Sequence, residues 1–285
     1  ADGQPVSASI TNIPAHTRYE IVERDYTDDG YTTQTPQNAF GIIDVVNEAG
    51  REEAMTFTNT RESGTLALSK ALKGNATDGE KEFTFRVKLE NAQFDTATQR
   101  DAYDVVIREA NKADVQTTVA RDANGEYVLT LKGGQTATLL DVLYGTTATV
   151  AEDDYTAEGY EAVSGQMAAV NSQTPDAAVV FTNERYIGSI EITKALAGTG
   201  SDKGYGKTFT FDVKLWNEHD LDLLNAQTST MPSGVDGLTK TNEQRDGHDV
   251  YAGTVSITMG ADGQPVSASI TNIPAHTRYE IVERD

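Results

Sequence analysis

The 285 residues contain no cysteine and one tryptophan, and only 7% of them are aromatic. Without thiols there are no disulfides, no thiolate metal ligands and no cysteine nucleophile, and the redox compartment stays open. Small secreted domains usually rely on covalent staples, so a cysteine-free one must be larger or be stapled differently. Long apolar runs are absent, which removes a membrane-spanning helix from the expectations. Basic residues are scarce: 23 Lys and Arg stand against 44 Asp and Glu, a formal charge of -21. Such a chain repels nucleic acid and anionic lipid, so neither is expected as a partner. No leader pattern opens the residues, which reads as a mature chain or a fragment.

What is present is repetition. ADGQPVSASITNIPAHTRYEIVERD occupies 1–25 and returns unchanged at 261–285, an offset of 261 − 1 = 260 residues. Identity over that length marks one period of a tandem array plus an overlap. A weaker repeat lies inside the period. SGTLALSKALKG at 63–74 matches IGSIEITKALAG at 187–198, and KEFTFRVKLEN at 81–91 matches KTFTFDVKLWN at 207–217. TATVAEDDYTAEGY at 147–160 matches RYEIVERDYTDDGY at 18–31, and MTFTNTRESG at 55–64 matches VVFTNERYIG at 179–188. The chain therefore divides into the tail of a unit B (1–60), a complete unit A (61–185) and a unit B cut short (186–285).

The matched segments alternate apolar and polar residues and are rich in Thr, Val, Ile, Phe and Tyr, the pattern of half-buried strands. About seven strands per unit are expected. Asp122-Ala123-Asn124-Gly125, Gly133-Gly134 and Asp262-Gly263 read as hairpin turns. Residues 96–113 fit a short helix or a strand through Asp104–Ile107 equally well. The predicted fold is all-β: tandem β-sandwiches arranged end to end.

Alternation assigns faces. Leu66, Leu68, Lys70 and Leu72 share one, as do Ile190, Ile192, Lys194 and Leu196 in unit B. Val179, Phe181 and Asn183 share another, matched by Met55, Phe57 and Asn59. Ala148, Val150 and Glu152 share a third, matched by Tyr19, Ile21 and Glu23 and, in the second copy, Tyr279, Ile281 and Glu283. Each unit thus turns a Lys, a Glu and an Asn toward its core from three different strands. A single such Lys is explained by its stem reaching past the strand end to water. Three coincident positions in two diverged units favour chemistry instead. Desolvation drives Lys toward a neutral, nucleophilic amine and Glu toward the protonated acid. Held together, they can join the amine to the Asn carboxamide with loss of ammonia, needing proximity and no cofactor.

G-[ST]-[IL]-x-[IL]-[ST]-K, then FTF-x-VKL, then a Glu before D-Y-T-x-x-G-Y, then FTN, resembles the isopeptide-forming domains of Gram-positive pilins and surface adhesins, of the collagen-adhesin B and major-pilin shaft types. The resemblance covers nearly the whole chain. It implies an immunoglobulin-like sandwich with a Lys–Asn bond between first and last strands and an acidic catalyst. It assigns Lys70, Glu152 and Asn183 to unit A, and Lys194, Asn59 and Glu283 or Glu23 to unit B. A sortase signal and a pilin-polymerisation lysine motif are not visible, so the expected role is a stalk of repeats on one polypeptide, extracellular, at the cell surface or anchored to the cell wall. Its expected partners are neighbouring repeats of the same chain or adjacent molecules head to tail. The alternative is an adhesin contacting a host or glycan ligand through the turn-rich insertion at 216–249.

Other groups read as structural. His16, His219, His248 and His276 lie in polar, turn-like sequence and are expected to be solvated rather than metal-bound. Glu218 to Asp222 lacks calcium-loop spacing and reads as a surface charge run. Trp216 is expected to pack at a strand edge, partly exposed. No turnover enzyme is indicated: catalytic-triad, phosphate-loop and metalloprotease signatures are missing.

Overall fold

A computed structural model of the chain describes residues 5–43, 53–94, 100–224 and 232–285. The N-terminal part carries four short strands: β1 (Arg18–Glu20), β2 (Thr32–Gln34), β3 (Phe40–Ile42) and β4 (Thr58–Thr60). They form two small antiparallel pairs, β1 with β3 and β2 with β4.

Nine strands follow: β5 (Ser63–Lys73), β6 (Glu82–Asn91), β7 (Ala102–Glu109), β8 (Val115–Ala120), β9 (Tyr127–Lys132), β10 (Gln135–Leu143), β11 (Thr146–Glu152), β12 (Gln166–Val170) and β13 (Asp176–Glu184). They build a five-stranded sheet in the order β13-β5-β10-β7-β8 and a four-stranded sheet in the order β12-β11-β6-β9. Alternation sets the inner faces. Leu66 and Leu68 of β5 meet Phe83, Phe85 and Val87 of β6 in one core with Tyr103, Tyr127, Leu139, Val150 and Phe181. Aromatic edges lock it, with Phe85 against Phe181 at 5.2 Å and Tyr103 against Tyr127 at 5.1 Å, both T-shaped. The first and last strands lie side by side and parallel, Thr65 opposite Asp176 through Lys73 opposite Glu184.

The remaining strands are β14 (Ile187–Lys194), β15 (Thr208–Asn217), β16 (Asp236–Arg245), β17 (His248–Thr258), β18 (Val266–Pro274) and β19 (Thr277–Glu283). Among the described residues β14 pairs only with β18, and β16-β17-β15-β19 form a second sheet. Phe211, Val213, Leu215, Tyr251, Val255 and Ile270 make a second core.

The molecule is all-β, as expected, with nine strands rather than seven between Ser63 and Glu184. The residues 96–113 resolve toward the strand reading through β7, residues 95–99 lying outside those described. Asp122–Gly125 closes a local antiparallel reversal, with Arg121 bridged to Tyr127 and the Asp122 amide donating to the Glu126 carbonyl at 2.8 Å, but none of the three turns read as hairpins joins neighbouring strands of one sheet. Asp122–Gly125 links β8 to β9, Gly133-Gly134 links β9 to β10, and Asp262-Gly263 links β17 to β18, each crossing from one sheet to another. Turn residues specify a reversal, and the sheet that each arm joins is decided by which apolar face it must bury.

In β10 a register shift between Leu139 and Val142 places Asp141 at φ 59. The bulge turns its carboxylate toward Arg61, which donates from Nη1 and Nη2 at 2.6 and 2.8 Å, and toward Arg100 at 3.0 Å. Arg61 beside it holds the Asp141 carboxyl down at about 2. Because the folded pKa lies below the ordinary 3.8, this stabilisation is present above that value and is lost as pH falls toward about 2. Asp141→Asn should therefore lower stability at neutral pH by about 1 kcal/mol, the modest value of a half-exposed pair. The gap from wild type, followed by thermal melts, should close as pH falls from 3.8 toward about 2.

Candidate functional site

β5 and β13 carry two members of the site on adjacent parallel strands. Lys70 stands opposite Phe181, and Asn183, two residues on, shares its face. Glu152 comes from the other sheet, at the end of β11 opposite Phe85. All three side chains are sealed: Lys70 is 2% and Asn183 1% exposed, and the Glu152 side chain is 1% exposed. Lys70 Nζ lies 3.1 Å from Glu152 Oε1. Neither atom completes a hydrogen bond of normal geometry, and Asn183 Oδ1 has no donor. The Asn183 carboxamide also bonds to Glu152.

Burial pushes the Lys70 ammonium below its ordinary value, opposed by the Glu152 charge. Burial pushes the Glu152 carboxyl up, opposed by Lys70 and Asn183. In both cases desolvation is the larger effect, so the pair leans toward a neutral amine beside a protonated acid. Phe83 closes the site from below, and its ring face acts the other way from burial, favouring the ammonium. Its ring lies under Lys70 Nζ at 4.2 Å and excludes water from that side. A cleft of about 120 Å³ opens onto Glu152 and Asn183 beside Asp153, Tyr155 and Glu161. The arrangement sets an amine, a carboxyl group and a carboxamide close together, each side chain shielded from solvent.

The aromatic shield was not assigned from sequence, although its signal was in plain view. The first Phe of each FTF sits under a lysine: Phe83 under Lys70, and Phe209 under Lys194 at 4.3 Å. The second Phe faces the glutamate across the sheet: Phe85 opposite Glu152, and Phe211 opposite Glu283.

The unit B residues fall into two groups. Lys194 Nζ lies 2.6 Å from Glu283 Oε1, partly exposed. Asn59 Nδ2 donates to Glu23 Oε1 at 2.8 Å, on the surface. Among the described residues no contact joins Lys194 to Asn59, because β14 has only β18 beside it and β4, which carries Asn59, pairs with β2. Tyr279, expected to face inward, is 56% exposed, whereas Ile281 on the same face of β19 packs against the second core.

Several structural readings change. Trp216 is 7% exposed, not a partly exposed strand edge, because β15 ends in three consecutive buried residues, Leu215, Trp216 and Asn217, and Arg245 covers the indole at 5.3 Å. The insertion at 216–249 is in part an antiparallel pairing of β16 with β17, broken by two register shifts, and residues 225–231 lie outside those described. Asp220 bonds to His248 and Asp222 to Tyr251, so this charge run is internally occupied. The histidines are not simply solvated: His219 stacks on His276 at 4.3 Å, and His276 Nε2 lies 2.8 Å from Glu161 Oε1. Among the described residues no helix is long and apolar enough to cross a membrane.

A sequence family described as "Domain of unknown function (DUF7601)" matches residues 1–61 and 64–185. Over 153 residues the chain is 30% identical to a protein named Pilin from Streptococcus pyogenes serotype M1. That match covers 48% of this chain and 43% of the relative, so the chain spans less than half of that protein's length. Among solved structures, a major pilin from Streptococcus pyogenes is 23% identical, with 62% of this chain and 66% of that chain covered and a TM-score of 0.39. A pilus-presented adhesin is 24% identical over 44% of this chain and 28% of that one, with a TM-score of 0.33. Superpositions this loose carry no argument; the fold rests on the strand pairing.

The buried pair has a measurable cost. In an Asn183→Ala background, where no carboxamide is available, Glu152→Ala should destabilise by about 3–5 kcal/mol, since it leaves Lys70 buried alone. Lys70→Met with Glu152→Leu should recover most of that loss, and urea unfolding of the three proteins reads the difference.

Proposed function

The chain belongs to the DUF7601 domain family, and we propose that it is a stretch of a bacterial surface stalk or fibre whose β-sandwich repeats lock themselves with Lys–Asn isopeptide bonds. The observation that carries this reading is the sealed trio of Lys70, Glu152 and Asn183 on three strands of one core. Similarity to a pilin supports the surface location and the structural role.

The chemistry follows from the geometry. Neutral Lys70 Nζ attacks Cγ of Asn183 while protonated Glu152 donates to the carboxamide oxygen. A proton passes from the new ammonium through Glu152 to the departing amine, the C–N bond of the carboxamide breaks, and ammonia leaves. Glu152 ends protonated as it began, and one amide replaces another. The cleft at Asp153 and Glu161 offers ammonia a way out. The event is a single self-modification that consumes its own side chains, so the protein is not an enzyme in the turnover sense and needs no cofactor.

The division into a unit B tail (1–60), a unit A (61–185) and a partial unit B (186–285) belongs to the same proposal, supported by the family match in two segments. Within it, Lys194 with Glu283 is one half of a unit B site, and Asn59 with Glu23 is the other half of a neighbouring one. Their partners are the adjoining repeats, in the same chain or in an adjacent molecule head to tail. The adhesin alternative through 216–249 has no favouring observation, since its one large aromatic, Trp216, is buried.

The Lys70–Asn183 bond would close a loop of 183 − 70 = 113 residues. By analogy with a disulfide over such a loop it would stabilise by about 4–5 kcal/mol. Intact mass of the denatured chain should fall short by one ammonia, and Glu152→Ala or Lys70→Ala should restore the full value. A full wild-type mass would refute the proposal. For unit B, fusing a second copy of 26–60 after Asp285 should produce loss of a second ammonia, abolished by Lys194→Ala. A fused chain that loses only one would show that unit B does not react.

A further inference from the structure

Glu161, His219 and His276 are far apart in sequence, yet their ligand atoms lie within 4.8 Å of one another. Glu161 follows the 3-10 turn after β11, in the sandwich of 63–184. His219 follows β15, and His276 sits in the turn between β18 and β19. The cluster therefore straddles the junction between two consecutive repeats. We infer that this junction holds a divalent transition-metal ion of the zinc type, coordinated by Glu161, His219 and His276 and clamping one repeat to the next.

The donor set suits such an ion. Two imidazoles and a carboxylate, with water in the fourth position, are a common zinc environment. The side chains are partly exposed, so a hydrated ion can reach them. Tetrahedral ligands stand about 3.3 Å apart at the usual bond lengths of about 2 Å. Small side-chain rotations would close the present cluster to that spacing. Any proton shared between His276 Nε2 and Glu161 Oε1 would pass to solvent as the metal takes its place.

The backbone under the two histidines is already fixed. Asn217 Oδ1 accepts from the His219 amide at 2.9 Å, and Asn217 Nδ2 donates to the Ala275 carbonyl at 2.8 Å and to Thr277 Oγ1 at 2.9 Å. The Glu218 amide donates to the His276 carbonyl at 2.9 Å. Leu221, from the same loop, is buried near Gly159, two residues before Glu161. Glu161 is held in turn by its amide donating to the Glu184 carbonyl at 2.9 Å.

The repeat provides an internal comparison. In unit A, Asn91 makes the same bonds as Asn217, to the Tyr144 carbonyl and Thr146 Oγ1. The scaffold is shared, but the positions of His219 and His276 are taken there by Gln93 and Gly145, and that of Glu161 by Thr32 in the preceding unit. Only the junction after unit A carries all three ligands, on a scaffold that does not require them for its own hydrogen bonds.

The test exchanges each ligand for its counterpart at the other junction. Titration of the full 285-residue chain with zinc chloride, followed by calorimetry, should show one site. Glu161→Thr, His219→Gln and His276→Gly should each weaken it at least about tenfold. His248→Gln, outside the cluster, should not. Zinc should raise the melting temperature of wild type and leave that of the triple variant unchanged. Far-UV circular dichroism in chelator checks that the variants fold, which glycine at the positive φ of His276 favours. Wild type binding zinc no better than the triple variant would overturn the inference, as would single variants that all bind like wild type.

Discussion

Burying a lysine and a glutamate together costs several kcal/mol per charge unless something offsets it, and the arrangement of the 63–184 sandwich is governed by that cost. Parallel pairing of β5 with β13 brings the amine beside a carboxamide. The opposing sheet brings the acid, and Phe83, Phe85 and Phe181 keep water out. Burial pushes the Lys70 ammonium down and the Glu152 carboxyl up, each toward its neutral form. An unpaired Asn183 oxygen in the same space is a further strain on the unreacted state.

Much of this was legible because a strand has a period of two. Alternation alone places Lys70, Glu152 and Asn183 inward, and their burial in the fold agrees with that placement. What escaped were properties that no local pattern encodes. The turns at Asp122 and Gly133 specify reversals but not which sheet receives the next strand. Trp216 is buried because β15 ends under Arg245, where alternation no longer applies. The cluster of Glu161, His219 and His276 joins three separate turns, the outer two 276 − 161 = 115 residues apart, and exists only once the chain has folded.

The duplicated 25 residues separate local from long-range determinants within one molecule. Asn12 and His16 hold the same left-handed backbone as Asn272 and His276, with φ values of 59 and 61 against 57 and 61. Local turn preference is therefore carried by the segment itself. Strand formation is carried only in part: Arg18–Glu20 is extended in β1 as its twin 278–280 is in β19, but residues 6–14 form no strand where their twin forms β18. Ile270 is fully buried in β18 while its twin Ile10 is 77% exposed, and Val6 is 97% exposed. Only the later copy has β14 and β15 to pair with.

That duplication has a consequence for assembly order. Any edge like β14 can in principle accept either copy, since the two are chemically identical. The correct one closes a loop of 266 − 194 = 72 residues from Lys194 to Val266, and the upstream one a loop of at least 187 − 14 = 173 from Pro14 to Ile187. Loop-closure entropy separates these by only about 0.8 kcal/mol, a few-fold preference. In an array of such periods, equilibrium connectivity would be weakly enforced by chain entropy alone. The order in which segments emerge and find their edges then sets the topology, and an irreversible bond between first and last strands would make whichever pairing forms first permanent.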